Sequence, residues 1–311
     1  MLRYYYSGVF PFKQAAHKWV IPHCPQRLLS MHGAYIKYGH RWCDELQYHP
    51  GQVEILLDSG AFTGWNLGHE VQLDPLCATY EDMLNKYWRH TVQVWCINLD
   101  KIPGSPGRDP ETWELDQAMD ISDKNFEILT KRFGPRILPV YHQGEPESRL
   151  HVVEKQADYI CVSPRNDLAE VHRVKWSREV HSKLPKGKKT HGLAATGLDM
   201  MTSVPWYSVD SATAVFIAAT GDSILHMKGT LLSMGFSSKS PKRHDRNQHY
   251  SNLNPVSKKA VDDYLERFRF TPELLAESAE ARVALIILST NEWNRESHQF
   301  KPVVQGSLFD L

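Results

Sequence analysis

One unit recurs along this chain and limits what it can become: a short apolar or β-branched run, then a polar residue of a catalytic type, then a helical pattern. The runs are "RLLSMHG" from Arg27, "VEILLDSG" from Val53, "VQVWCINLD" from Val92, "RILPVYHQG" from Arg136, "DYICVSP" from Asp158, "KTHGLAA" from Lys189, "WYSVDS" from Trp206 and "SILHMKGTLL" from Ser223. Between them lie segments such as "DPLCATYEDMLNKYWRH" and "DLAEVHRVKWSREVHSKL", whose apolar residues recur at helical spacing and which open on Asp-type caps. Strand and helix alternating in this way predict an α/β fold, a (β/α)8 TIM-type barrel with a C-terminal helical extension. A doubly wound open sheet has the same alternation, and periodicity alone does not separate the two.

The texture changes near residue 237. Residues 1–236 read as the barrel, 237–300 as a basic loop with C-terminal helices, and 301–311 as a flexible tail. The loop "SSKSPKRHDRNQHYSNLNP" is polar and turn-rich, and two segments starting at Ser257 and Thr271 then carry helix start signals. Lys plus Arg equal Asp plus Glu, so the formal net charge is zero. A nucleic-acid partner would have to be held locally, and Lys239, Lys242, Arg243 and Arg246 of the loop are the candidates. The five cysteines form no C-x-x-C pair, which argues against a disulfide framework and a zinc knuckle and favours a reducing cytoplasm. "MLRYYYSGVFPFKQ" has no sustained apolar segment before Pro11, and no uncharged run approaches bilayer length, so neither a leader nor a membrane partner is expected.

Side chains at the C-terminal ends of barrel strands converge on one mouth. Asp58, Asp100, His142, Gln143, Ser163, His191 and Asp210 all fall there. Any one of them has an ordinary reading as a helix cap or turn residue, but three carboxylates at equivalent places are harder to dismiss. Asp210, after "PWYSV", is the least comfortable as a cap. Carboxylates in one cleft, without a Gly-rich phosphate cradle or an H-E-x-x-H pair, suit glycosyl transfer or hydrolysis. Metal-dependent hydrolysis through His142, His191 and Asp210 is the competing chemistry. Trp65, Trp206 and Tyr207 are candidates to stack on a flat ligand, with core packing as the plainer reading.

The motifs "LLDSGAF", "INLDKIPG", "PVYHQGE", "YICVSP", "HGLAATG" and "PWYSVDSA", in this order over about Val53 to Val215, resemble the tRNA-guanine transglycosylase superfamily. They are most similar to its DNA-acting branch, the 7-deazaguanine DNA transglycosylases of bacteriophages and bacteria. The resemblance implies a transferase that replaces guanine in DNA by a 7-deazaguanine such as preQ0, without metal or other cofactor. It implies Asp210 as the nucleophile on the anomeric carbon and Asp58 as general acid and base, with Ser59, Gly60 and Phe62 around it. It further implies that Asp100 and Gln143 read the base, beside His142, Ser163, His191 and Gly192. The three-cysteine and histidine zinc site of the tRNA enzymes is missing, which weighs against tRNA as substrate; a tRNA-acting enzyme and a non-catalytic nucleic-acid-binding paralogue are the alternatives within the superfamily. At the C-terminus "QGSLF", with Gln305, Leu308 and Phe309, resembles the peptide that docks on the replicative sliding clamp, although Gly306 stands where Leu is usual.

Overall fold

The computed structural model describes residues 1–8, 24–33, 35–44 and 51–299. The clamp-like Gln305, Leu308 and Phe309 lie outside the described residues. Nine strand segments make one parallel sheet: β1 (Arg3–Ser7), β2 (Gln26–Ser30), β3 (Glu54–Asp58), β4 (Gln93–Ile97), β5 (Ile137–Leu138), β6 (Val140–His142), β7 (Tyr159–Ser163), β8 (Lys189–Gly192) and β9 (Ser208–Ser211). Their order is β5-β4-β3-β2-β1-β9-β8-β7-β6. The two ends of that ladder, β5 and β6, are halves of one run interrupted at Pro139, which has no N–H to give. One half pairs with β4 and the other with β7, so the sheet returns on itself as an eight-staved barrel.

Seven of the staves are runs read from the sequence, and one is not. The segment Ser223 to Leu232 forms no part of the barrel. It belongs to an antiparallel hairpin of β10 (Asp222–Met227) and β11 (Thr230–Gly235). Met227 pairs with Thr230, and the two residues between, Lys228 and Gly229, have φ of 55° and 75°, the left-handed pair of a type I′ turn. The missing stave is β1, "RYYYS", whose middle three tyrosines are buried. It closes the ring by pairing with β2 on one side and β9 on the other, Tyr5 opposite Asp210.

Helices follow the strands for local reasons. In α3 (Leu73–Tyr87) the buried residues Leu76, Cys77, Tyr80, Met83, Leu84 and Tyr87 fall on one face, and Tyr80 donates its hydroxyl to the Ile97 carbonyl at the end of β4 (2.7 Å). Helix α4 (Thr112–Phe133) opens on a capping box between Glu111 and Glu114. The preceding helices are α1 (Tyr35–Cys43) and α2 (Ala61–Leu67), and α5 (Glu147–Gln156), α6 (Glu170–Lys183), α7 (Leu198–Ser203) and α8 (Thr213–Ala219) follow among the described residues.

The chain divides into two compact units, Arg3–Phe216 and Met1–Leu2 with Ile217–Leu311, so the division falls at 216/217 rather than at 236. The hairpin accounts for the shift: its Leu225 and Met234 share a core with Leu253, Val261, Leu265 and Leu285 of the second unit. That unit also carries α9 (Pro255–Glu266), capped by the Asn254 side chain, with α10 (Pro272–Glu277) and α11 (Ala279–Gln299). The basic loop is less exposed than its composition implies, because Ser240 and His249 are buried and Ser240 donates to Asp222. No described helix is long and apolar enough to cross a membrane, and all five cysteines are buried and unpaired.

Candidate active site

The period-two geometry of the strands builds the site. Inside the barrel a layer of Tyr5, Leu28, Leu56, Ile97, Val140 and Cys161 forms a dry core. One step further along the same faces come Ser7, Ser30, Asp58, His142 and Ser163, and all of them line a cavity of about 820 Å³ at the C-terminal ends of the strands. Asp210 joins them from β9 and Asp100 from the loop after β4. The apolar layer below closes the floor to water, and burial of each large side chain in it contributes about 1.5–3 kcal/mol. The cavity is of a size that holds a small organic ligand.

Two carboxylates face this space in different electrostatic settings. Burial first, then the negative charges of Asp210 and Asp100, push the Asp58 carboxyl up from its ordinary 3.8 to about 7. Asp58 therefore keeps its proton up into the neutral range. Asp210 is held by its Oδ1, which accepts the Ala194 N–H at 3.0 Å and has His191 Nε2 at 3.3 Å. Ala194 presents that N–H from a left-handed backbone, φ 50°, a conformation that costs a non-glycine residue about 1–2 kcal/mol. No described residue hydrogen-bonds Asp210 Oδ2. An acid and a carboxylate over one cavity are the pair that a displacement at a sugar carbon needs.

A second network holds the opposite wall. Asp100 Oδ2 lies 2.7 Å from His142 Nε2, and the His142 backbone N–H donates to the buried Glu145 carboxyl at 2.8 Å. Burial opposes the charged form of His142, yet the hydrogen bond and charge of Asp100 raise it above the ordinary imidazole value. Gln143 accepts the Arg165 N–H on its amide oxygen (3.0 Å), which turns the NH2 end toward other partners. Such an amide can donate to a carbonyl.

The site residues named from the sequence separate into two groups. Asp58, Asp210, Phe62, Asp100, His142, Gln143 and Ser163 line the cavity; Ser59, Gly60, His191 and Gly192 do not. Ser59 is 1% exposed, and its hydroxyl accepts the Ala61 N–H at 3.4 Å. Gly60 has φ +81°, and a Cβ there would stand 2.7 Å from that of His32. Gly192 is pressed against Ala195 and the Trp206 ring, where a Cβ would meet atoms at 2.7 and 3.0 Å. His191, fully buried, sits behind Asp210. These four support the site and do not line it: Ser59 and Gly192 are one place off the inward face and are taken up by packing, Gly60 opens α2, and His191, in register with the interior Cys161, lies one layer below the mouth. Of the aromatic candidates only Trp65 lines the cavity, its Nε1 donating to the Gly104 carbonyl. Trp206 packs edge-on against His181, and Tyr207 against Tyr159.

Several cavity residues escaped the sequence reading. Ser30 ends "RLLS" and obeys the strand-end rule that found the others. Phe216, exposed on α8 beside Phe62 in the lining, carried no signal beyond its apolar character, and the strained Ala194 carried none. At the rim Arg165 is paired with Asp109 and Asp167, and Arg108 with Glu114, so the rim cations are matched by acids. In the basic loop Lys242 pairs with the buried Asp222 at 3.2 Å, so its charge is already partnered. Lys239, Arg243 and Arg246 are exposed and form no ion pair with a described carboxylate. Among the described residues the one group with metal-ligand character is His226, Glu292 and Glu296, in the C-terminal unit. There Glu292 already takes Arg267 and the Tyr264 hydroxyl. No protein-family model matches this chain, and no curated protein matches it.

Proposed function

We propose that the protein exchanges guanine in DNA for a 7-deazaguanine derivative through a covalent bond to Asp210. The observation that carries the reading is the pairing of Asp58, raised to about 7, with the Asp210 carboxylate around one cavity. The motif order of the transglycosylase superfamily supports the same assignment. In the first half-reaction a carboxylate oxygen of Asp210 bonds the anomeric carbon while the bond from that carbon to the guanine nitrogen breaks. The electron pair leaves with the purine, and the Asp58 proton neutralises it. In the second half, the incoming 7-deazaguanine gives its ring N–H proton to Asp58, its nitrogen bonds the sugar, and Asp210 is released. Displacement twice at one carbon retains its configuration.

Asp100 and Gln143 offer an acceptor and a donor to the edge of the base, and Phe62 and Phe216 offer flat apolar surface at the opening. The exposed Lys239, Arg243 and Arg246 are the candidates for phosphate contact. Docking on the sliding clamp through residues 305–309 and a place in the host cytoplasm belong to the same reading.

The test is incorporation of a labelled 7-deazaguanine, with guanine-containing DNA and tRNA offered side by side. Wild-type protein labels DNA, Asp210→Asn labels nothing, and chelator has no effect. Label in tRNA alone would move the substrate to RNA; no label in either, or label that survives Asp210→Asn, would end the reading.

A further inference from the structure

The residue behind Asp210 belongs to a buried hydrogen-bonded line that fixes how the carboxylate is used. His191 on β8 is opposite Ser208 on β9 in register, and its Nδ1 lies 2.6 Å from the Ser208 hydroxyl. Ser208 Oγ lies 2.5 Å from the Tyr159 hydroxyl. The rings of Tyr5 and Tyr159 stand edge-on to the imidazole at 5.6 and 6.5 Å and hold its plane. All three members of the line are buried, and Nε2 of His191 has no hydrogen-bond partner. What Nε2 does face is Asp210 Oδ1, at 3.3 Å.

The direction of the protons along this line follows from counting them. Burial keeps the Tyr159 phenol protonated, and its one described acceptor is Ser208 Oγ. If Tyr159 donates to Ser208, the Ser208 proton goes to Nδ1, and a neutral imidazole must then carry its hydrogen on Nε2. A protonated Nδ1 donating to Ser208 Oγ would leave either the phenolic hydrogen or, since a hydroxyl oxygen can accept twice, the Ser208 hydrogen buried without a described acceptor. It would also aim the Nε2 lone pair at a carboxylate oxygen, so it is disfavoured twice.

Resting on the proposed role of Asp210, the geometry points to His191 as a positioning residue: Tyr159 and Ser208 set its Nε2–H tautomer, and that N–H with Ala194 N–H occupies Asp210 Oδ1, leaving Oδ2 to bond the sugar. In the ester Oδ1 is the carbonyl oxygen. As the ester breaks, charge returns to the carboxylate, and the two N–H groups are already aimed at the oxygen that shares it. At 3.3 Å the contact is misaligned for a hydrogen bond, and such bonds commonly tighten only when substrate is bound.

Two measurements test this. Nitrogen-15 spectra of histidine-labelled protein, with His191 assigned from the His191→Gln variant, read the tautomer without reference to activity. Protonated Nε2 and acceptor Nδ1 are expected, and that preference should relax in Tyr159→Phe. A protonated Nδ1 overturns the inference while leaving base exchange standing. In kinetics, Gln places an amide N–H where Nε2 was and Asn does not reach it. His191→Asn should slow formation and breakdown of the DNA adduct by about a hundredfold with little change in KM for the incoming base, and His191→Gln should recover about tenfold of that loss. Equal impairment of the two variants overturns it. Absence of any adduct in the wild type would instead count against the proposed function, and the tautomer would still be read.

Discussion

At the scale of single residues, Asp58 couples chemistry to stability. Its folded-state value of about 7 exceeds the ordinary 3.8, so the fold binds a proton there more tightly than the unfolded chain does. That stabilisation is complete below the unfolded value and is lost as pH rises through about 7. Asp58→Asn carries no charge and escapes the loss. Its melting temperature should exceed that of the wild type by a margin that widens from about pH 4 to about pH 8, while the proposed base exchange falls at least a hundredfold. A margin that shrinks over that range would show that the carboxyl is not raised. Asp58, His142 and Asp210 were legible as strand-end residues because the period of a strand carries polarity outward two residues at a time, and Asp100, in the loop three residues past the inward Ile97, was legible only as the polar end of its run. His191 was legible as polar and strand-borne, but a period cannot say that a side chain ends one layer below the mouth, so it was taken for a base contact. Ala194 was not legible at all, since nothing about an alanine announces a positive φ.

At the scale of elements, the alternation of strand and helix was plain, and the errors came from two short segments with mixed chemistry. In β1, three tyrosines serve as core residues; Tyr5 is fully buried and its hydroxyl donates to Glu54 at 3.0 Å, a polar tip satisfied at the barrel's other end. A search for sustained apolar character passes over such a strand. The hairpin at 222–235 was read as one strand because Leu225, Leu231 and Leu232 dominate it, although Lys-Gly in the middle is a turn signal. The turn itself makes a prediction. Lys228 occupies a left-handed conformation that asparagine tolerates better, so Lys228→Asn should stabilise the protein by about 0.5–1 kcal/mol, read from urea unfolding midpoints. A loss of stability would mean that the Lys228 side chain has a role the turn geometry does not reveal.

At the scale of the whole molecule, zero net charge makes any grip on nucleic acid local and therefore countable. Replacing Lys239, Arg243 or Arg246 by alanine should each lower the slope of log affinity for DNA against log salt by about one, with unfolding unchanged. Lys242→Ala should do the reverse, leaving the slope and lowering stability, because the buried Asp222 loses its cation. If all four change the slope alike, the Lys242 pairing is opened by DNA. The ring of strands has a last consequence. Its closing seam joins β1, the first stave in chain order, to β9, the last, so the β9 partners of Arg3 and Tyr5 emerge from the ribosome only after every other stave. Until then three aromatic side chains wait without their full set of neighbours, which makes the nascent chain, and not the folded protein, the form in most need of a chaperone.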